Sequence, residues 1–247
     1  MANKTKKGIV MNDLNKQVTD ELTRLGADLT GFGDLAALPS DMRSGLPIGI
    51  SVGVRVPREI VRGITEAPTL AYWDYYHSGQ DSLDQLAEAG AEYVRALGYE
   101  AFALTRKNTQ FVGALRSALP YKTVATRAGL GWIGKCAMLT TEKFGTAVWF
   151  STILTDAPLD CAEPVNESKC GNCPACTDAC PAKAISGKLW NANLDRDEFF
   201  DAAKCAAVAR ERAKERIGVD YSLCGRCIAV CPRTERYLEA GGSDAIA

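Results

Sequence analysis

The chain has 247 residues, a formal net charge of −1 and 47% hydrophobic residues, enough for one large core or two smaller ones. A charge this balanced excludes the broad cationic footprint of a nucleic-acid-binding domain. Lys4, Lys6 and Lys7 are followed by no apolar stretch, and no run is long enough to span a bilayer, so a soluble, cytoplasmic protein without membrane association is expected.

Leu14, Val18, Leu22 and Leu25 recur at helical spacing, with Gly26 placed to cap the end. Ile48, Ile50, Val52, Val54 and Val56 alternate with Gly49, Ser51, Gly53 and Arg55. This predicts a strand with one apolar face and one face of mostly tiny residues, which lets a helix backbone or a flat cofactor come close. Ser82-x-x-Gln85 reads as a capping box opening a helix whose inner face carries Leu83, Leu86, Ala87, Gly90, Tyr93, Val94 and Leu97. Strands are predicted over 99–104 and 146–154. Pro158, Pro164 and the polar residues between them mark a linker, which divides an α/β region, 1–158, from a cysteine-rich module, 159–247.

Gly129-Leu-Gly131-Trp-Ile-Gly134 matches the dinucleotide fingerprint G-x-G-x-x-G in letters only. That fingerprint needs a strand before it, a helix after it and an acid about 20 residues on. Here 123–128 reads as helix, 136–140 as strand, and the acid's place falls near Trp149.

Eight of the ten cysteines form two runs and a single residue. Cys170-x2-Cys173-x2-Cys176-x3-Cys180-Pro181 is followed by Cys205, then by Cys224-x2-Cys227-x3-Cys231-Pro232. In two-cluster ferredoxins three cysteines of a run bind one [4Fe–4S] cluster and the fourth reaches the other cluster. The second run lacks its leading cysteine, and Tyr221 occupies that place. Cys205 is the nearest thiolate to replace it. One cluster is therefore assigned to Cys170, Cys173, Cys176 and Cys231, and the other to Cys180, Cys205, Cys224 and Cys227. Paired zinc sites also use Cys-x2-Cys, but zinc does not explain a three-step run ending in Cys-Pro twice.

Arg127-Ala-Gly-Leu-Gly-Trp-Ile-Gly-Lys135, Leu139-Thr-Thr-Glu-Lys-Phe-Gly145 and Ile153-Leu-Thr-Asp156, with the cysteine order after them, resemble the epoxyqueuosine reductase family. Reductive dehalogenases look similar over the same stretch. The resemblance implies an α+β protein, with a nitroreductase-like corrinoid-binding domain followed by a ferredoxin-like double-cluster domain. It implies base-off cobalamin fed by two [4Fe–4S] clusters, and places Gly129, Gly131, Trp132, Ile133, Gly134, Lys135, Cys136, Thr141 and Thr152 at the corrinoid. Glycine there would let backbone donors approach the cofactor. The implied partners are a small-molecule or modified-nucleoside substrate and a low-potential donor, ferredoxin or flavodoxin.

Three departures bear on tRNA as a substrate. The family's aspartate general acid precedes an Ala-Pro; Arg116-Ser117-Ala118-Leu119-Pro120 holds no acid there, and Ser117 falls near its place. Cys136 follows Gly-Lys where those enzymes usually have Asn. A C-terminal helical-repeat extension, which helps them hold tRNA, has no counterpart after the second run. Turnover of tRNA is therefore not expected.

Tyr76 and His77 are the candidate catalytic side chains, since the family has an Asp-Tyr-His segment in the comparable region; packing and a satisfied surface histidine are the plainer readings. Tyr75 is read the same way. Cys136 reads either as a corrinoid-pocket thiol or as a small buried hydrophobe. Cys161 reads as a spare thiol. Arg210, Arg212, Lys214 and Arg216 are interleaved with Glu211 and Glu215, the pattern of a solvated helix face. Two functions remain: a corrinoid- and cluster-dependent reductase, or a non-catalytic electron-transfer module serving a partner such as another corrinoid protein.

Overall fold

The computed structural model describes residues 11–113 and 115–241. Lys4, Lys6 and Lys7 lie outside the described residues. Helix α1 (Met11–Arg24) ends at Gly26, whose φ of 105° suits a residue without Cβ. Strands β1 (Leu29–Asp34) and β2 (Ile48–Arg55) follow, then α2 (Arg58–Gly63), α3 (Leu70–Ala96) and β3 (Ala101–Leu104). A short hairpin, β4 (Phe111–Gly113) and β5 (Arg116–Ser117), leads into α4 (Tyr121–Arg127). A second hairpin, β6 (Trp132–Ile133) and β7 (Leu139–Thr140), precedes the long strand β8 (Val148–Thr155). The cysteine-rich part holds α5 (Ala175–Ala179), a 3-10 turn (Arg196–Glu198), α6 (Ala202–Ile217), α7 (Arg226–Ala229) and α8 (Pro232–Glu239).

The main sheet runs in the order β1-β2-β8-β3, with every neighbouring pair antiparallel. Its apolar face receives α1 and α3: Val18, Leu22, Ala87 and Val94 pack on Ile50, Val52 and Ile153. The small face receives α4. A Cβ on Gly49 would lie 2.6 Å from Val124 Cγ1, and one on Gly33 2.8 Å from Ala128 N. The closely approaching partner is thus a helix. Ser51 and Thr152, opposite each other in the register, are fully buried, and their hydroxyls have no hydrogen-bond partner among the described residues.

Ser82 does not open a helix. Thr69 caps α3, accepting from Tyr72 N at 3.2 Å, and Ser82 lies mid-helix with its hydroxyl donating to Ser78 O. The aromatic run 72–76 extends the helix toward its N-terminus by packing; Tyr72 is buried and Trp73, Tyr75 and Tyr76 join the same cluster. The strand expected over 136–140 shrinks to Leu139–Thr140, because Ala137 turns the chain at φ 59°.

The apolar core runs on past residue 158. Val56, Val61, Ile64 and Tyr72 pack in one cluster with Ala213, Leu223, Ile228 and Tyr237. Tyr237 on α8 donates its hydroxyl to Val56 O at 2.9 Å, and Arg58 donates to Tyr237 O. Thr146 and Thr234 are hydrogen-bonded in the same interface.

Candidate functional site

Short helices and turns present the cysteines. Cys176 sits on α5, Cys205 in the first turn of α6 and Cys227 on α7, while Cys231 caps α8, whose first residue is Pro232. Proline is well placed there, since the first helical residue needs no backbone N–H. Cys170, Cys173, Cys176 and Cys231 line one cavity of about 230 Å³. Cys180, Cys205 and Cys227 share a buried group, Cys224 lies close enough to Cys205 to disfavour its charge, and Cys224 and Cys227 both act on Tyr72. Cys227 also lines the first cavity and Cys176 also belongs to that buried group, so the thiols of the two expected sets adjoin one another.

Among the described residues no three cysteine, histidine or carboxylate groups converge tightly enough to hold a single ion. Here the thiols border cavities instead. The donor set suits a cluster: thiols without carboxylates, with hydrogen bonds aimed at sulfur. Trp132 Nε1–H donates to Cys170 Sγ at 3.5 Å, and Ala184 N–H to Cys180 Sγ at 3.4 Å. Lys135, Lys169, Arg233 and Arg236 border the first cavity and offset the charge of four thiolates. Burial, reinforced by Cys180 and Cys224, pushes the Cys205 thiol up to about 11. A hydrogen bond from Cys136, together with burial, pushes Cys176 up as well. Metal ligation must overcome both, since thiolates are the ligands.

The glycine segment lies behind this centre. Trp132, Ile133, Lys135 and Cys136 are all buried. A Cβ on Gly131 would collide with Thr140 O, and one on Gly134 would lie 2.8 Å from Thr140 Oγ1 and 3.5 Å from Cys170 Sγ. These glycines let the β6–β7 hairpin close upon itself and upon the cysteine loop. Thr141 is a buried turn residue, accepting from Phe144 N and donating to Gly145 O. Thr152 stays inside the sheet, apart from this group. Cys136 lies beside both Cys176 and Cys227, one thiol from each expected ligand set.

On the other side of that turn is a cavity of about 320 Å³. Ala137, Met138 and Leu139 line it, as does the stretch Val148–Ser151 of β8, which extends beyond the end of β3. Asp84 is its buried carboxylate and is bound by Arg106, Nε to Oδ2 at 2.7 Å. Ser117 and Lys122 stand on its wall. Lys122 Nζ donates to Ala137 O at 2.8 Å.

Tyr76 and His77 are brought together on α3, with Trp73 and with Tyr221, the residue in place of the absent cysteine. The Tyr76 and Tyr221 hydroxyls are 3.3 Å apart, and the Trp73 and His77 rings meet edge-on at 4.1 Å. Burial and the Tyr221 hydroxyl hold Tyr76 at about 12. Tyr75 stacks on Trp149 and donates to Arg55 O. Cys161 is exposed and belongs to neither the cavity nor the buried group that hold the other thiols. In the basic stretch, Arg212 donates to Glu66 O and Arg210 pairs with Asp220.

The thiol sets and their surroundings define an iron–sulfur protein, and residues 169–234 match a family described as a 4Fe-4S double cluster binding domain. Over a longer stretch the chain is similar to epoxyqueuosine reductases. One from Cyclobacterium marinum is 28% identical over 200 residues, 71% of this chain and 60% of that protein. One from Pseudomonas aeruginosa is 27% identical over 196 residues, 73% of this chain and 49% of that protein. The chain thus spans about half the length of these curated relatives. Its fold is shared by an epoxyqueuosine reductase solved with an epoxyqueuosine-modified tRNA-Tyr stem loop (TM-score 0.61, 18% identity, covering 91% of this chain and 66% of that one). It is also shared by a reductive dehalogenase whose structure was described in terms of B12-dependent dehalogenation (TM-score 0.66, 18% identity, covering 98% and 34%). The architecture is accordingly a nitroreductase-like α/β region followed by a ferredoxin-like double-cluster region.

Proposed function

We propose that this chain is a corrinoid-dependent iron–sulfur oxidoreductase in which two [4Fe–4S] clusters supply electrons to cobalamin held base-off over the cavity at the open end of β8. The observation that carries this reading is the run Cys136–Leu139. Cys136 lies beside Cys176 and Cys227, one from each of the two ligand sets assigned here, and the next three residues line the cavity. An electron acceptor held there would lie within a few residues of both clusters.

The residues of the cavity fit such a group. Val148–Ser151 offer strand-edge backbone without a β3 neighbour, suited to peripheral amides, and Met138, Leu139 and Phe150 offer apolar walls. The corrinoid, when bound, supplies a low-potential metal centre that the side chains here cannot provide. Tyr76, which keeps its proton through neutral pH, and the exposed His77 are the side chains assigned to proton delivery. Both lie about one turn along α3 from Gln80 on the cavity wall. A ferredoxin or flavodoxin is the assigned donor. No helix among the described residues is long and apolar enough to cross a membrane, and we assign the protein to the cytoplasm.

The substrate is a small molecule or a modified nucleoside. Turnover of tRNA is not expected, because Ser117 borders the cavity where a carboxylic acid would be needed, and Asp84 is tied to Arg106. General acid catalysis typically contributes ~10²–10⁴-fold. A second reading, an electron-transfer module without its own chemistry, draws on that same missing acid. Anaerobic titration of the cluster-loaded protein with cobalamin separates the two. Co-elution with base-off visible bands supports the reductase. An unchanged cobalamin spectrum and no co-elution would leave the electron carrier.

A further inference from the structure

A separate cavity of about 370 Å³ opens on the opposite side of Ser117, Pro120 and Lys122. One face of α4 provides Lys122, Thr123, Thr126 and Arg127; the 3-10 turn and the loop before it provide Asp195 and Arg196. Four cations border it: Arg116, Lys122, Arg127 and Arg196. Asp195 is its single carboxylate among the described residues, and that group is taken by a two-point pairing with Arg116, both contacts at 2.9 Å. Arg196 is occupied by Asp197 and by Leu115 O. Two charges are left uncompensated. Arg127 makes no side-chain hydrogen bond or ion pair among the described residues, and Lys122 places one of its three N–H donors on Ala137 O.

Lys122 as a residue keeps some exposure, but its ammonium is enclosed. The charged and titratable groups facing it are Arg196, Arg116 and Cys136, with no carboxylate among them. An enclosed ammonium among cations is costly unless an anion joins it. Beside the neutral polar groups of Ser117, Thr123, Thr126 and Asn166, the lining has an apolar part in which Trp190, Ile133 and Phe199 are buried and pack together.

We propose that this cavity binds a small organic oxyanion, a carboxylate or a phosphate ester on an apolar ring-sized body, with Lys122 and Arg127 holding the anionic group and Trp190 and Ile133 the body. The site does not depend on the corrinoid reading. Its test uses cluster-loaded protein without cobalamin, so failure of either reading leaves the other standing.

Equilibrium dialysis at low ionic strength with benzoate, phenyl phosphate, benzamide and inorganic phosphate is the experiment. We expect 1:1 binding of benzoate or phenyl phosphate, at least tenfold tighter than benzamide and than inorganic phosphate. Charge-assisted hydrogen bonds are worth enough that Lys122→Met and Arg127→Gln should each weaken it about tenfold or more. The preference between the two aryl probes identifies the anion. Burial, with Arg196 and Arg116 nearby, holds Lys122 at about 8, so wild-type affinity should fall between pH 7 and pH 9, while the Lys122→Met protein shows no such fall. Full iron content in both variants establishes that they fold. Benzamide binding as well as benzoate, phosphate binding as well as phenyl phosphate, undiminished binding by folded Lys122→Met, or no aryl anion binding would each overturn the proposal.

Discussion

The indole N–H of Trp132 points at the sulfur of Cys170, 3.5 Å away, and so ties the glycine-rich hairpin to the first cysteine run. A hydrogen bond to a ligand sulfur stabilises the more negative, reduced cluster. Trp132→Phe should keep about eight irons per chain and lower one cluster's potential. The expected shift is on the order of 60 mV, the size of a tenfold change in a one-electron equilibrium. A potentiometric titration followed by electron paramagnetic resonance reads it; an unchanged potential would mean the bond is not made to the loaded cluster.

The ligand sets make an iron count decisive. Cys205→Ala should lose one cluster and retain about four of eight irons. Cys161→Ser and Cys136→Ser should retain all eight, the first because it is exposed and outside the thiol groups, the second because it lies beside Cys176 and Cys227 without being needed to complete either assigned set. Iron loss in either of these two would name a different eighth ligand.

Gly145 sits where α8 docks. Its φ is 58°, and a Cβ there would run into the backbone of Arg233 and Thr234. Gly145→Ala should destabilise the fold by about 2–4 kcal/mol, combining left-handed strain with a backbone collision. Gly98→Ala is the control: φ is 93°, but nothing lies within 4 Å of the added carbon, so only ~1–2 kcal/mol is expected. Equal losses in chemical denaturation would contradict the close approach.

Lys122 sets a pH dependence. Its folded value, about 8, is below its ordinary value of 10.5 because of burial and then Arg196. Between those values the unfolded chain binds more protons, so stability attributable to this group rises with pH across that window and is lowest below pH 8. Lys122→Met should therefore be more stable than wild type at pH 7, by ~1–3 kcal/mol, with the gap closing toward pH 10.5. Urea denaturation at several pH values measures it, and a gap that widens with pH would refute the sign.

The double-cluster character of the two cysteine runs was legible in the sequence because their spacing is local: Cys-x2-Cys places two thiols on one turn, and Pro232 starts the helix after Cys231. The alternation at 48–56 was equally plain, since a sheet imposes its period directly. The reason for the glycines at 129–134 was not plain. A glycine records that something comes close, not what, and here it is largely the protein's own Thr140 and cysteine loop. Ser82 misled because a capping box is a four-residue pattern, and helical packing of the aromatic residues before it overrides so weak a signal. Lys122 gave no sign at all. Its environment comes from Arg116 and from Arg196, the latter more than seventy residues away in the chain.

One short helix has two attachments. α8 is capped by Cys231, which we assign to the first ligand set, and carries Tyr237, whose hydroxyl is fastened to Val56 at the end of the sheet. Loss of a cluster held there would therefore remove the anchor of a clasp as well as a redox centre. The damaged protein would loosen first at α8, exposing the apolar seam beneath Tyr237 to proteases.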